Sequence, residues 1–148
     1  MHISLVIGAD HRGYELKEFL KKQTQFSLIT VSWIDVGAPT SERSDYPVFA
    51  VAAVHEMQQQ QAHGGVLLCG TAVGMAITAN RFAGIYAAVV WKPEIARLAK
   101  EDDNANMIAL PADYLTQAQT FECVREWLSA QFKEGRYKKR IELIDAIK

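Results

Sequence analysis

The stretch that decides the fold is Gly64-Gly-Val-Leu-Leu-Cys-Gly-Thr-Ala-Val-Gly-Met75. Its first half is a short, continuous apolar run that ends at Cys69, which is typical of a buried strand. The glycines at positions 70 and 74 allow the backbone to turn tightly, and the residues after them predict a short helix. A strand that is apolar at every position must be covered on both faces, as the strands of parallel sheets are.

Outward from this stretch, short apolar runs alternate with amphipathic segments. The predicted strands are Ile3–Gly8, Leu28–Val36, Val66–Cys69, Ile85–Val90 and Met107–Leu110. The predicted helices are Gly13–Gln23, Tyr46–Gln61, Met75–Arg81, Pro93–Glu101, Thr116–Phe132 and Lys138–Ile147. Buried strands that are separated by helices form parallel sheets with right-handed crossovers. We therefore expect one α/β domain over residues 1–148, a Rossmann-like three-layer α/β/α sandwich around a five-stranded parallel sheet.

The composition excludes several classes of protein. The chain has 148 residues, of which 49% are hydrophobic, and this argues against disorder. A formal net charge of −1 argues against a nucleic-acid binder that works by bulk charge. Two cysteines exclude a disulfide scaffold, and four histidines without ligand spacing argue against a metal site. No signal peptide or run of roughly 20 apolar residues occurs, so we expect a cytoplasmic protein that does not bind membranes.

Polar residues cluster where the predicted strands end or begin, and ligands of parallel sheets bind at the carboxyl ends of strands. Asp10-His11 follows the first strand, Cys69-Gly70-Thr71 ends the third, and Asp102-Asp103 precedes the fifth. The turn after Cys69 can present backbone N–H groups to an anion, and a cysteine at such a place can become a thiolate. A cysteine that only packs the strand end explains the same residue equally well.

Two other features also leave alternatives open. Asp10 is suited to binding hydroxyl groups or to capping the helix that follows. Arg136 and Arg140 are four residues apart, so on a helix they share one face and could hold a phosphate, or could form a solvated basic helix end. No Walker A or dinucleotide-binding glycine signature is present.

Together these segments resemble the type B ribose-5-phosphate isomerases and the related galactose-6-phosphate isomerase subunits. The matching pieces follow the family's order over nearly the whole chain. They are Gly8–Lys17, Ser41–Pro47, Gly64–Met75, Ile77–Asn80, Gly84-Ile85, Asn104–Asn106 and the pair Arg136 and Arg140.

The resemblance implies an aldose–ketose isomerase of a phosphorylated sugar that needs no metal or cofactor. It also implies a homodimer or a dimer of dimers with active sites shared between subunits, the C-terminal helix 138–147 packing on the partner. Cys69 would be the base that moves a proton between C1 and C2, and the turn after it would hold the enediolate oxygen. Asp10 and Tyr46 would contact the sugar, and His11, Arg136 and Arg140 would contact the phosphate. The implied catalytic residues are Cys69, Thr71 and Asp102, and the implied substrate-binding residues are Asp10, His11, Tyr46, Gly70, Thr71, Ala72, Val73, Gly74, Asp103, Arg136 and Arg140.

The chain departs from the family's pattern at several positions. The family usually has a ring-opening histidine and an asparagine at Asp102-Asp103, an arginine at Asp113, a histidine at Tyr137 and a glycine at Ala72. We expect Asp102 and Asp113 to tune which sugar phosphate is accepted, because they add negative charge near an anion site. A four-carbon substrate, which cannot close the usual furanose ring, needs no ring-opening histidine. The alternatives are therefore a four-carbon or galactose 6-phosphate isomerase, or a weakly active sugar-phosphate-binding partner subunit.

Overall fold

The computed structural model describes every residue from Met1 to Lys148. Its strands are β1 (His2–Ala9), β2 (Gln25–Phe26), β3 (Ile29–Asp35), β4 (Gly64–Cys69), β5 (Ala87–Val89) and β6 (Met107–Pro111). Its helices are α1 (Tyr14–Lys21), α2 (Tyr46–Gln58), α3 (Val73–Ala79), α4 (Pro93–Asp103), α5 (Gln117–Ser129) and α6 (Arg136–Asp145). The predicted α/β class and all five predicted strands are confirmed, and no helix is long and apolar enough to cross a membrane.

The predicted strand count of five is wrong by one, because the sheet has six strands in the order β2-β3-β1-β4-β6-β5. The additional strand, β2, has only two residues and runs antiparallel to β3. Ser27, with φ of 55°, turns the chain between them, and Phe26 is fully buried against Phe121. Two residues are too few to show a periodicity, so the sequence pattern did not reveal this strand.

The core fills both faces of the sheet, as a three-layer sandwich requires. On one face, Leu68 and Trp127 belong to a buried cluster under α1, α4 and α5. On the other face, Leu67 and Met75 belong to a second cluster under α2 and α3. Every residue of β4 is buried, which explains its unbroken apolar sequence.

Several helix ends differ from the predicted bounds, and local backbone signals explain most of the differences. The helix α4 continues to Asp103 and ends at Asn104, which has the left-handed conformation that stops helices. It therefore includes both Asp102 and Asp103. The helix α6 begins at Arg136, two residues earlier than predicted, and directly follows Gly135 with φ of 56°.

The strand order creates a crevice at the carboxyl ends of β1 and β4. From β1 the chain proceeds to β3 on one side, and it later returns to β4 on the other side. The first connection passes through α1 and the second through α2, which cover opposite faces of the sheet. Ligands of open α/β sheets bind at such a reversal of strand order. We therefore expect a ligand-binding site at the residues that follow β1 and β4.

Candidate active site

A cavity of about 290 Å³ lies at this crevice, and we call it the Cys69 cavity. It is lined by Asp10, Arg12, Tyr46, Cys69, Gly70, Thr71, Val73, Gly74 and Ile77. Most of these residues are ones that the sequence predicted, and they come from the turn after β1, the start of α2, and the turn between β4 and α3. The structure thus brings together three segments that are far apart in the chain.

Cys69 is the last residue of β4 and lies opposite Pro111 of β6 in the parallel register. Its side chain is free and nearly buried. The Cys69 carbonyl accepts a hydrogen bond of 2.9 Å from the N–H of Ala112, so the strand end is fixed on both sides of the sulfur. The other cysteine, Cys123, is buried in α5, where desolvation raises the pKa of its thiol to about 12.

The turn after Cys69 reverses at Ala72, a fully buried residue with φ of 68° that directly precedes α3. We expected the glycines at positions 70 and 74 to make this turn, and that expectation is wrong. Gly74 is required for a close approach, because a Cβ atom there would stand 2.6 Å from Cε2 of Tyr46. Gly70 lies equally close to the guanidinium of Arg12. The two glycines therefore make room for the side chains that complete the cavity wall.

Asp10 has a structural contact as well as a place in the cavity. Its side chain is buried, and Oδ1 accepts hydrogen bonds from the N–H groups of Arg12 at 2.9 Å and Gly13 at 3.1 Å. These bonds shape the turn that precedes α1. They do not cap the helix, because its N-cap residue is Gly13 and no side chain bonds to its first turn. Gly13 lies against β4, where a Cβ atom would stand 2.6 Å from the carbonyl oxygen of Leu68. Asp10 therefore fixes the turn and also presents a carboxylate to the cavity.

His11 does not line the Cys69 cavity. Its backbone N–H donates to Oγ of Ser44 at 3.1 Å, and its ring Nδ1 lies 3.2 Å from the backbone N and O of Ser44. These contacts tie the turn after β1 to the loop that precedes α2. The predicted phosphate contact of His11 remains a prediction.

Arg12 also lines the cavity, and it is not among the site residues predicted from the sequence. Its Nη2 forms an ion pair with the carboxylate of Asp113, the residue that we expected to add negative charge near the anion site. The only indication in the sequence was a basic residue in the polar turn that follows the first strand. An isolated arginine has no motif that separates a ligand-binding side chain from a solvated one.

The other predicted residues lie outside the Cys69 cavity, and most of them form a second group that we call the α6 cluster. It consists of Asp102, Lys133, Arg136, Tyr137 and Arg140. Lys133 Nζ donates to Oδ1 of Asp102 at 3.0 Å, and this hydrogen bond raises the pKa of Lys133. The three basic groups lie 5.1 to 5.3 Å from the centre of the Tyr137 ring. Asp103 lies apart from both groups, in a shallow pocket beside Tyr86 and Ile144.

The α6 cluster concentrates positive charge on an exposed surface. Arg136 Nη2 lies 3.2 Å from the Tyr137 hydroxyl, and this hydrogen bond lowers the pKa of Tyr137. Two carboxylates lie beside the three cations, those of Asp102 at 3.0 Å and of Glu101 at 3.5 Å from Lys133 Nζ. Both pair with Lys133, so Arg136 and Arg140 are the cations that remain suited to attract an anion. Within one chain, the residues that the resemblance assigns to a single site thus form two separate groups.

The comparisons with known proteins agree with this architecture. A family model described as Ribose/Galactose Isomerase matches residues 5–144. The chain belongs to this family. It is 36% identical to the ribose-5-phosphate isomerase B of Escherichia coli, over 97% of this chain and 95% of that protein. It is 34% identical to the D-erythrulose-4-phosphate isomerase of Pectobacterium atrosepticum, over 96% of this chain and 93% of that protein.

Solved structures of the family have the same fold. A ribose 5-phosphate isomerase from Thermotoga maritima matches with a TM-score of 0.92 and 39% identity, covering 99% of this chain and all of that one. The Mycoplasma genitalium ribose-5-phosphate isomerase B with bound ribulose-5-phosphate matches with a TM-score of 0.87 and 31% identity, covering 96% and 93%. The predicted family of sugar-phosphate isomerases is confirmed, and with it the predicted enzyme class of aldose–ketose isomerases.

Proposed function

We propose that the chain interconverts an aldose phosphate and a ketose phosphate through a cis-enediolate, with Cys69 as the base. The thiolate of Cys69 takes the proton from C2 of the aldose, and O1 becomes protonated. The thiol then returns the proton to C1 while the proton of the C2 hydroxyl leaves, which gives the ketose. These transfers can be made by side chains alone, so the proposal includes no metal or cofactor. The position of Cys69, at the end of β4 and in the wall of the cavity, is the observation that supports it.

The turn after Cys69 would stabilise the enediolate. Charge develops on oxygen in this intermediate, so donors that are already in place lower the barrier most. We assign this role to the backbone amides of Gly70–Gly74 and to the Thr71 hydroxyl. Thr71, Gly70 and Gly74 line the same cavity as the sulfur, and the neighbouring backbone is fixed by the buried Ala72. Asp10 and Tyr46, which line the same cavity, would bind the sugar hydroxyls.

The proposed substrate is ribose 5-phosphate, with ribulose 5-phosphate as the product. The names of the Escherichia coli and Thermotoga maritima proteins support this substrate, as does the ribulose-5-phosphate bound in the Mycoplasma genitalium structure. One observation favours a four-carbon sugar phosphate instead. Asp102 is bonded to Lys133 and would have to leave this pair before it could help to open a sugar ring. The similarity to a D-erythrulose-4-phosphate isomerase supports the same alternative.

The proposed assembly is a homodimer, or a dimer of dimers, in which the α6 cluster of one chain completes the Cys69 cavity of the other. The two groups are separate within a chain, which supports this arrangement. Val48, Val73 and Ile77 are also exposed apolar residues around the start of α2 and on α3, beside the cavity. Leu143 and Ile147 are exposed at the end of α6. Exposed apolar surface of this kind is typical of an interface.

The proposed location is the cytoplasm. The two free cysteines agree with this location, because disulfides are rare there.

The test is the conversion of aldose to ketose by the purified chain, with no other subunit added. The panel contains D-erythrose 4-phosphate, ribose 5-phosphate and galactose 6-phosphate. We expect turnover of ribose 5-phosphate, and a higher kcat/KM for D-erythrose 4-phosphate would favour the four-carbon alternative. A folded chain that converts none of the three sugars would contradict the proposal and favour a sugar-phosphate-binding subunit.

A further inference from the structure

The Cys69 cavity contains very little positive charge for a site that takes a phosphorylated substrate. Among its lining residues Arg12 is the only basic side chain, and Asp10 is the only carboxylic acid. The Asp10 carboxylate is buried and accepts two backbone hydrogen bonds. Arg12 is therefore the single cation that this chain contributes to the wall of its own cavity.

Arg12 is attached to the turn that follows Cys69. Its backbone N–H is held by Asp10, and its guanidinium lies so close to Gly70 that a Cβ atom there would stand 2.6 Å from Nη1. Its ion-pair partner Asp113 is fixed to the same turn, because the N–H of Asp113 donates to the Gly70 carbonyl at 3.1 Å. The guanidinium and its carboxylate are thus both positioned by the loop that contains the proposed base.

The guanidinium keeps free hydrogen-bond donors. Asp113 is its only side-chain partner, and a guanidinium has more N–H donors than one carboxylate can accept. The Arg12 side chain is 50% exposed and lines the cavity, so it is accessible to a ligand there. A planar group of this kind binds phosphate oxygens through paired hydrogen bonds.

We propose that Arg12 binds the phosphate of the substrate from within the chain that provides Cys69, and that Asp113 is a positioning residue that aims the guanidinium. This inference rests on the proposed function and adds a phosphate contact that is independent of the α6 cluster. The ligand class is a phosphomonoester dianion. Because Asp113 neutralises part of the charge, the pair also sets how strongly the cavity attracts the phosphate.

The experiment measures the binding of inorganic phosphate by calorimetry, which requires no turnover. We expect Arg12→Ala to weaken phosphate binding about ten- to a hundredfold, and Arg12→Lys to restore part of it. The control is Arg125→Ala, which removes an arginine paired with Glu122 and Glu126 on α5, and it should bind phosphate as the parent does. Thermal melts verify that each variant is folded. Unchanged phosphate binding by folded Arg12→Ala would overturn the proposal.

The role of Asp113 has a separate test. Asp113→Asn should change the phosphate affinity in the parent chain and leave it unchanged in the Arg12→Ala chain, because Asp113 acts through Arg12. An equal change in both backgrounds would show direct repulsion by the carboxylate and overturn the positioning role. Failure of the proposed function is distinguishable, since a chain that isomerises no sugar can still lose phosphate binding on Arg12→Ala. Equally, if the parent chain is an active isomerase and Arg12→Ala leaves its KM and its phosphate affinity unchanged, only this inference is refuted.

Discussion

The Cys69 cavity and the α6 cluster differ in how their polar groups are held. In the cavity, Asp10 is buried and bonded to backbone N–H groups, and Cys69 ends a fully buried strand. In the cluster, Arg136 and Arg140 are exposed and lie over one partly buried tyrosine ring. Exposed ion pairs and cation–π contacts contribute little on their own, at most about 1 kcal/mol each. We therefore expect the fold alone to hold the cavity groups in place, whereas a ligand or a partner chain would add the contacts that hold the cluster.

The largest effect is expected in the Cys69 cavity. Cys69→Ala should lower kcat by about 10²–10⁴, the usual contribution of a positioned general base. Steady-state kinetics on the best substrate of the panel measure it. The matched control is Cys123→Ala, which should reduce stability without reducing kcat, because Cys123 is a buried residue of α5. If Cys69→Ala keeps its kcat and changes only KM, the sulfur packs the strand end and is not the base.

An ion pair between the buried Lys17 of α1 and the partly exposed Asp35 joins this helix to the end of β3. Breaking it should lower the stability more than the other substitutions outside the cavity do. Lys17 is 1% exposed and donates to both oxygens of Asp35 at 2.8 and 3.0 Å. Asp35 also accepts from the N–H of Gly37, whose carbonyl accepts from the N–H of Ala9 at the end of β1. Lys17→Met should lower the free energy of unfolding by about 2 kcal/mol, since it removes two hydrogen bonds between charged groups while Asp35 keeps its contacts with Lys21 and Gly37.

Urea unfolding measures this loss, and Lys21→Met is the matched control. Lys21 contacts the same carboxylate at 2.7 Å but is 30% exposed, so its removal should cost less than about 1 kcal/mol. Equal losses from the two variants would show that the burial of Lys17 does not strengthen the pair.

The same pair predicts how stability depends on pH. Partial burial alone would raise the pKa of Asp35, but hydrogen bonds from Lys17, Lys21 and Gly37 outweigh it and hold the pKa below its ordinary value. A pKa that is lower in the folded chain stabilises the fold above the ordinary value of about 3.9, and this stabilisation is lost as the pH falls through the lowered pKa. The parent chain should therefore lose more unfolding free energy between about pH 5 and pH 2 than Asp35→Asn does. Parallel pH profiles for the two chains would contradict this assignment.

In the α6 cluster, Arg140→Ala should raise KM for a phosphorylated sugar about ten- to a hundredfold, because an arginine–phosphate pair contributes about 1.5–3 kcal/mol. The control is Lys139→Ala, which removes a neighbouring charge from the same helix and has no contact with Tyr137. An equal rise in KM for both variants would point to the net charge of α6 rather than to a specific phosphate contact.

The smallest effect concerns the anchoring of α6. The Tyr86 hydroxyl donates a short hydrogen bond to Asp145 at the end of α6, which raises the pKa of Tyr86 to about 12. Because Asp145 is exposed and Tyr86 is only partly buried, Tyr86→Phe should cost at most about 1 kcal/mol in thermal melts. A loss of more than about 2 kcal/mol would mean that α6 belongs to the cooperative fold as firmly as β4 does.

The sequence predicted the parts of the molecule that local patterns encode. Continuous apolar runs located all five longer strands, and Cys69 stood out because a glycine turn follows its strand. The two-residue β2 left no pattern. Arg12 was missed because its importance depends on Gly70 and Asp113, which only the folded chain brings beside it. The separation of the α6 cluster from the cavity is likewise a property of the tertiary structure, and no spacing in the sequence encodes it.

The central claim is that the fixed cavity of one chain and the exposed cluster of another form one active site. Co-expression of Cys69→Ala and Arg140→Ala chains tests it most directly, with co-expressed Cys69→Ala and Cys69→Ser chains as the control. Activity is compared at a substrate concentration well below the KM of the parent, where Arg140→Ala chains should be only weakly active. In a two-fold dimer, each mixed pair of the first kind has one site without either lesion, so the mixture should regain about a quarter of the parent activity. The control mixture has no intact site and should stay inactive. A mixture no more active than its separate variants, or a fully active monomer in sedimentation, would contradict the account.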